Sequence, residues 1–410
     1  MSPRFAAVVV SAGLSSRMVD FKPLLPLGPT TVLARVAGLL RDGGVEHVLA
    51  VAGHLAEEVQ AEATRLEVDC VVNRDFRRGM FSSVLTGLER LAELADETGG
   101  FDAVFVHPVD IPLVKPATIR SLIRNFHGQP VTYPVFRGQR GHPPLLSADS
   151  LGFVLRWNGA DGLRGALEAM ERSADAGQVA VADENILFDL DTPGDYQEAL
   201  VRLGRSGRPS PAETEALLEI QAMGERGLAH ARAVAQAALA MARALNAARD
   251  RAHASQALTT GSGSLQVQPI LDPTLVASAA LLHDLAKGVP DHEAEGGRIL
   301  EAAGFPDAAD IVRAHRDIDL SPKAPLTERE VVYLADKLAS GGRFVDVRRR
   351  FQEKFDRFGA DPEAAAAIRG RRDRALAVLA RLEAEAGASI EVILSQIDAP
   401  LAGLRPGGLP

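Results

Sequence analysis

From residue 4 to about 200, this chain alternates short, almost continuously apolar runs with amphipathic stretches, and that alternation constrains its fold more than any other feature. The runs Ala6–Val10, His47–Ala52, Val68–Val72, Ala103–His107, Val131–Val135 and Ile186–Phe188 read as strands. Between them, Thr31–Asp42, Ala56–Leu66, Ser82–Ala95, Ala117–Asn125, Gly162–Arg172 and Pro193–Leu203 carry helical periodicity. Strands that are apolar throughout must be covered on both faces. The expectation is therefore an α/β domain with a mainly parallel sheet and helices on both sides. Ligands in such sheets bind beyond the carboxyl ends of the strands.

The alternation stops at Gly204–Pro211, which has two prolines and no periodicity and reads, with its flank, as a linker over 204–212. Helix then follows helix: Glu213–Asn246, with a break expected near Gly224–Gly227, then Pro273–Lys287, His292–Ala303, Asp307–His315, Glu328–Ala339, Phe344–Phe358 and Ala364–Ala386. The division expected is an α/β domain over 1–203 and an all-α domain over 213–400. Thr259–Gln268, containing Gly-Ser-Gly-Ser, reads as a flexible loop within Asp250–Asp272, and 401–410 as a disordered tail. A length of 410 residues fits more than one core. A net charge of −9 argues against a nucleic-acid partner. The single cysteine, Cys70, excludes an internal disulfide and fits a reducing cytoplasm. The N-terminus enters a strand without a secretory apolar segment, and runs such as Val276–Leu282 are too short to span a bilayer. A cytoplasmic location and no membrane partner are expected.

Four stretches of the first domain carry chemistry. Val8-Val9-Val10-Ser11-Ala12-Gly13-Leu14-Ser15-Ser16-Arg17-Met18 is an apolar run opening into a small, hydroxyl-rich loop, with Arg17 and then Lys22 supplying positive charge for a phosphate. Asn73 ends another run ahead of Ser82 and Ser83, whose helix N-terminus faces anions. Asp110 follows the run Ala103–Val106, where it is placed to hold a magnesium ion bridging phosphate oxygens. His142, Asp189 and Asp191 add polar groups suited to the acceptor or a second metal. Each feature also has an ordinary structural reading: the glycine loop as a turn, Asp110 as a helix cap, Asp191-Thr192-Pro193 as a helix start.

Ala-Gly-Leu-Ser-Ser-Arg-Met with Lys22-Pro23 resembles the signature of nucleotidyltransferases related to the molybdenum-cofactor enzymes, a MobA-like family. Gly79–Gly87, Val109–Pro112, Arg140–Pro143 and Asp189–Tyr196 are similar to that family in the same order, so the resemblance spans about residues 5–203. It implies a Rossmann-like nucleotidyltransferase domain. Ser11-Ala12-Gly13 resembles the Ala-Gly form of the cytidylyltransferase branch. The implied reaction joins CTP and molybdopterin, with Mg2+, into the cytosine dinucleotide cofactor and releases pyrophosphate; a molybdenum hydroxylase apoenzyme is the implied protein partner. Val19 stands where the family usually has glycine. Implied for the nucleotide are Ser11, Ala12, Gly13, Ser15, Ser16, Arg17, Lys22, Asn73, Ser82, Ser83 and Asp110, with Arg17, Lys22 and Asp110 catalytic. No protein nucleophile is needed: the acceptor phosphate attacks the α-phosphorus in line, and positioning and electrostatics carry the catalysis.

In the helical half, His230 shares a face with Val234, Ala237 and Met241, His315 follows Ile311 and Val312, and Asp336 follows Val332 and Tyr333. Inward imidazoles and carboxylates on several helices are better explained by a shared cation than by separate buried charges. The order His…His-Asp…Asp, with Leu-Leu-His283-Asp284-Leu-Ala-Lys287-Gly, resembles the HD metal-dependent phosphohydrolase superfamily over roughly 225–345. That resemblance implies His230, His283, Asp284 and Asp336 as ligands of a divalent metal (Mn, Fe, Mg, Co, Ni or Zn), with Asp284 and Lys287 catalytic. His292 and His315 are similar to the additional histidines of the two-metal branch, which would activate a hydroxide toward a phosphoester or phosphoanhydride. His253 is expected at the surface of the loop, and Arg343–Arg350 on a solvated helix face with phosphate contact as its alternative. Two other readings stay open: a phospho-sugar or phospho-alcohol as acceptor, and the helical half as a regulatory nucleotide-binding module.

Overall fold

The computed structural model describes residues 3–14, 18, 20–259, 269–321 and 324–397. Two compact units divide the chain, Met1–Ser206 and Gly207–Pro410.

The first unit is built on β1 (Phe5–Val10), β2 (His47–Ala52), β3 (Asp69–Val72), β4 (Ala103–Pro108), β5 (Val131–Phe136), β6 (Gln139–Arg140), β7 (Leu145–Ser147) and β8 (Gly177–Ala180). Their order is β8-β5-β7-β4-β1-β2-β3, with β6 on β5. Val8 lies opposite Leu49 on one side and Val106 on the other, both in parallel pairs. Ala6, Val8 and Val10 pack with Val84, Leu88 and Leu91 of α3 (Met80–Thr98), while Ala7 and Val9 between them are equally buried. Both faces are therefore covered, which is why β1 has no polar alternation. The helices α1 (Val32–Asp42), α2 (Ala56–Arg65), α4 (Pro116–Arg124), α5 (Ala148–Leu155), α6 (Gly162–Glu171) and α7 (Pro193–Leu203) complete the unit. From β1 the chain runs outward through β2 and β3, then returns to place β4 on the other side of β1. The strand order reverses between β1 and β4, and a crevice opens there at the carboxyl ends.

Two details differ from the sequence expectation. Ile186–Phe188 is not a strand: Glu184–Leu187 forms a 3-10 turn, because Asp183 caps it at Asn185 N and also binds Lys115 and Thr118 Oγ1. The sheet instead gains β8 and the antiparallel β7, runs of four and three residues too short for periodicity to register. On β3, burial, with the Asp69 charge adding to it, pushes the half-buried Cys70 thiol up to about 11. About one chain in 1,000 then carries the thiolate at pH 8. Native protein is expected to resist iodoacetamide for hours at pH 8, and denatured protein to alkylate within minutes; mass spectrometry of both reads the difference.

In the second unit, α8 (Pro211–Ile220) starts at a Ser210–Glu213 capping box, so its cap and first two residues lie inside the stretch read as linker. The expected break follows, and α9 (Glu225–Thr259) then runs on past Asn246, where the sequence pattern ended. Its inward stripe continues through Leu245 to Arg249, whose buried guanidinium donates to the carbonyls of Pro269 and Leu326, each 2.7 Å away. His253 is accordingly a half-buried residue of α9 and not a loop residue. Residues 260–268, where a flexible loop is expected, and the tail 401–410 lie outside the described residues. Around α9 pack α10 (Pro273–Leu282), α13 (Glu328–Leu338), α15 (Pro362–Ala386) and α16 (Ile390–Ser395), with α11 (His292–Ala302), α12 (Pro306–Ala314) and α14 (Val347–Phe358) beyond. Among the described residues, no helix is long and apolar enough to cross a membrane.

Candidate functional sites

At the β1/β4 crevice, a cavity of about 300 Å3 is lined by Ser11, Ala12, Gly13, Lys22, Ser83 and Asp110 among others. Sequence position alone scatters these residues over a hundred places; the parallel pairing of β1 with β4 joins them. Beyond its chain neighbours, no atom of the described residues lies within 4 Å of a Cβ built on Gly13, and the residue lines the cavity. Ala12 is buried against Gly53, where an added Cβ would come within 2.7 Å of the Ala12 methyl. Gly53 thus lets the loop after β2 close on the loop after β1, and His54 N donates to Ala12 O at 3.2 Å. The Ser11 hydroxyl is turned into the sheet, donating to Val51 O at 2.9 Å.

Lys22 is buried, and its ammonium lies 2.6 Å from Asp191 Oδ1. Leu190 N donates to Asp110 O at 2.7 Å, which draws Asp189 and Asp191 beside Asp110. Burial raises the Asp110 carboxyl above its ordinary range; Lys22 opposes this, and Asp189 and Asp191 add to it. Asp189 also acts electrostatically on His142. Among the described residues three carboxylates gather beside the Lys22 ammonium, an oxygen donor set of the kind that holds a divalent cation. Asn73 is buried and donates through its amide to Ser82 Oγ and Ser83 Oγ, 2.9 Å each, so it fixes the first turn of α3 at the cavity. Ser15, Ser16, Arg17 and Val19 lie outside the described residues.

One positioning residue escaped the sequence reading. His107, fully buried at the end of β4, donates through Nε2 to Ile111 O at 2.9 Å and clasps the turn that carries Asp110. Burial pushes it down to about 4, so it stays neutral. Nothing in the sequence distinguishes it from an ordinary core histidine.

The second site lies where α9, α10, α11, α12 and α13 bring their ends or inner faces together. His230 comes from the first turns of α9, His283 and Asp284 from the end of α10, His292 from the start of α11, His315 from the end of α12 and Asp336 from the last turn of α13. Six residues separated by 106 positions of chain thus meet. Asp284 is central to them. Its Oδ2 lies 3.4 Å from His283 Nε2 and 3.8 Å from His230 Nε2, and Asp336 Oδ1 is 3.2 Å from His230 Nε2. Its Oδ1 faces the other way, 3.4 Å from His292 Nε2 and 3.8 Å from His315 Nε2. Two ligand groups therefore share one carboxylate: His230, His283 and Asp284, and Asp284, His292 and His315.

The donor chemistry fits divalent metals. His283 Nδ1 donates to Ala280 O at 2.8 Å and His315 Nδ1 to Val312 O at 2.6 Å, leaving Nε2 of each bare and aimed inward. His283 Nε2 is buried with no hydrogen-bond partner, an orphaned acceptor that a metal would satisfy. Burial, then the neighbouring His283, holds His315 down at about 4, the neutral form that ligation needs. Burial alone would raise Asp284, but His283 and Lys287 more than reverse it and hold the carboxylate ionised.

Two cations missed in the sequence support the ligands. Lys337 is buried and donates to His315 O at 2.9 Å and Asp336 Oδ2 at 2.8 Å. Arg350 donates to the carbonyls of Asp336 and Ala339 and approaches Asp336 Oδ1 at 3.5 Å. The basic run is therefore divided: Arg348 and Arg349 are exposed as expected, whereas Arg350 turns inward. Replacing Lys337 with Met leaves a buried carboxylate short of a partner. It is expected to lower the stability of metal-free protein by about 3 kcal/mol in urea unfolding, as for other broken buried pairs.

Comparison with known proteins finds two family models in this chain. Residues 7–175 match the family model of the MobA-like NTP transferase domain, and residues 227–341 that of the HD domain. Over 197 residues, covering 48% of this chain and 95% of the relative, the sequence is 26% identical to the molybdenum cofactor cytidylyltransferase of Escherichia coli (strain K12). A solved protein of Mycobacterium tuberculosis H37Rv is similar at 27% identity and a TM-score of 0.43, covering 49% of this chain and 99% of that one. A Methanothermobacter nucleotidyl transferase is similar at 25% identity and a TM-score of 0.43, covering 49% and 98%. The chain carries a MobA-like NTP transferase domain followed by an HD domain. These domains indicate nucleotidyltransferase and metal-dependent hydrolase activity in one polypeptide.

Proposed function

We propose that the first domain transfers CMP from CTP to molybdopterin with release of pyrophosphate, and that the HD domain hydrolyses a phosphoester or phosphoanhydride. The observation carrying the first half is the meeting of Lys22, Asp110 and the Asp189–Asp191 pair at the β1/β4 crevice. The 26% identity to a cytidylyltransferase over nearly its whole length supports the choice of nucleotide and acceptor. Asp110, with Asp189 and Asp191, would hold Mg2+, which supplies charge neutralisation on the triphosphate. Lys22 lies beside the same carboxylates, placed to meet charge developing on the departing pyrophosphate. The first turn of α3, pinned by Asn73, presents its amides and Ser83 to an anion. An acceptor phosphate attacking the α-phosphorus forms one P–O bond as the bond to pyrophosphate breaks, so no side chain is acylated or phosphorylated.

In the HD domain, Asp284 between two histidine pairs carries the reading. His230, His283 and Asp336 with Asp284 would hold one divalent ion, and His292 and His315 with Asp284 a second; such a pair supplies Lewis acidity and an activated water. Lys287, paired to Asp284, and the backing cations Lys337 and Arg350 keep both carboxylates ionised and oriented. The transferase half is tested by pyrophosphate release from each of the four ribonucleoside triphosphates, with and without molybdopterin. CTP-selective, molybdopterin-dependent release is expected; preference for UTP or GTP would refute the cytidylyl assignment. For the hydrolase half, release of phosphate with Mn2+ is expected, whereas tight nucleotide binding without turnover across divalent metals would make the domain a sensor.

A further inference from the structure

The HD cavity is larger than its metal ligands require, about 510 Å3, and much of its wall is cationic. Some of those cations are engaged with the protein: Lys337 and Arg350 with Asp336, Lys287 with Asp284, and Arg316 with Glu293 at 3.0 Å. Three are differently placed. Arg226 at the start of α9 and Lys354 on α14 line the cavity, and among the described residues no hydrogen bond engages either side chain. Arg371 on α15 lines it too; its Nε is buried without a hydrogen-bond partner, 3.7 Å from the Asp317 carboxylate. These three come from the α14–α15 side and the α9 terminus, whereas most of the ligands come from α10 to α13.

We propose that this wall is a second phosphate subsite, and that the substrate of the HD domain is a phosphoanhydride with at least two adjacent phosphates. The proposal rests on the phosphohydrolase reading above and specifies its substrate class. Charge balance is the argument. One phosphate at two divalent ions offsets what Asp284 and Asp336 leave uncompensated, but among the described residues it leaves Arg226 and Lys354 without a hydrogen-bonded acceptor and Arg371 with Asp317 at 3.7 Å. A second phosphate on the same chain of atoms supplies the missing anion, and guanidinium groups suit its oxygens. The state of Lys354 agrees: partial enclosure, then repulsion from Arg350 and Lys337, pushes its ammonium down to about 8 against the pull of Asp336. In the reaction, water oxygen forms a bond to one phosphorus and the P–O bond to the bridging oxygen breaks. The bridging oxygen leaves with the phosphate held by the wall, and the water proton passes to solvent.

The test uses the full chain carrying Asp110→Ala, which removes the transferase carboxylate, loaded with Mn2+. Calorimetry compares imidodiphosphate with orthophosphate. Imidodiphosphate is expected to bind at least about tenfold more tightly, and the Lys354→Ala/Arg371→Gln double variant to cut that preference to about twofold with Mn2+ binding unchanged. Equal affinities in the parent, or a preference that survives the double substitution, overturns the proposal. Phosphate release is then followed from pyrophosphate, CDP and p-nitrophenyl phosphate. Release from pyrophosphate alone supports the proposal and assigns free pyrophosphate as the source; release from CDP alone supports it and assigns a nucleotide. Faster release from p-nitrophenyl phosphate than from either overturns it. Absence of release from all three refutes the hydrolase reading, and the binding ratio still decides whether the wall takes a second phosphate.

Discussion

Asp284→Ala is expected to abolish both divalent-metal sites of the HD domain at once. Removing an outer partner of a metal ligand typically costs 10- to 100-fold in affinity, so losing a carboxylate common to two ligand groups should cost more than about 100-fold at each. Mn2+ titration by calorimetry reads this directly. A substitution at His292 alone should spare the group formed by His230, His283 and Asp336, which distinguishes a shared carboxylate from two separate ones. Metal-free stability has its own sign. The folded Asp284 carboxyl titrates below its unfolded value, so its pairing stabilises the protein above the unfolded carboxylate range and is lost as pH falls through the depressed value. At pH 7 the variant therefore loses that stabilisation.

Asp110→Ala should be as severe for the other domain, with the opposite consequence for stability. Loss of one electrostatic element at a transferring phosphoryl group costs on the order of 1,000-fold, so pyrophosphate release should fall by at least that factor. The folded Asp110 carboxyl titrates above its ordinary range, first because it is buried and then because Asp189 and Asp191 repel it. An acid with a raised folded pKa costs stability once ionised, and the cost appears as pH rises through its unfolded value. The melting temperature of metal-free Asp110→Ala at pH 7 should accordingly equal or exceed that of the parent. A lower melting temperature would mean that Asp110 serves the turn and not the ligand.

What could be read from the sequence, and what could not, follows from the range of each interaction. The strands β1, β2 and β4 declare themselves because burial on both faces leaves them almost wholly apolar, with His47 and His107 the polar exceptions. His230, His315 and Asp336 are legible because each interrupts an apolar helical stripe, and the structure brings His230 and His315 to Asp284 and Asp336 to His230 and His283. The pairing of Lys22 with Asp191 joins residues 169 positions apart, and no local pattern encodes it. Arg350 is one arginine in a run of three, and only tertiary packing selects it over Arg348 and Arg349. Gly53 reads as an ordinary strand end until the Ala12 methyl is seen against it. The 3-10 turn over Glu184–Leu187 looked like a strand because Ile186 is fully buried, and it is Asp183, bonded to α4 and to Lys115, that curls the backbone.

If one chain holds two separate metal-dependent centres, anomalous diffraction from crystals of the full chain soaked in Mn2+ shows them most directly. One peak is expected beside Asp110, and two peaks on either side of Asp284 separated by about 3.5–4 Å. Absence of density between His230 and His315, or a single ion that leaves Asp284 unbridged, would contradict that expectation.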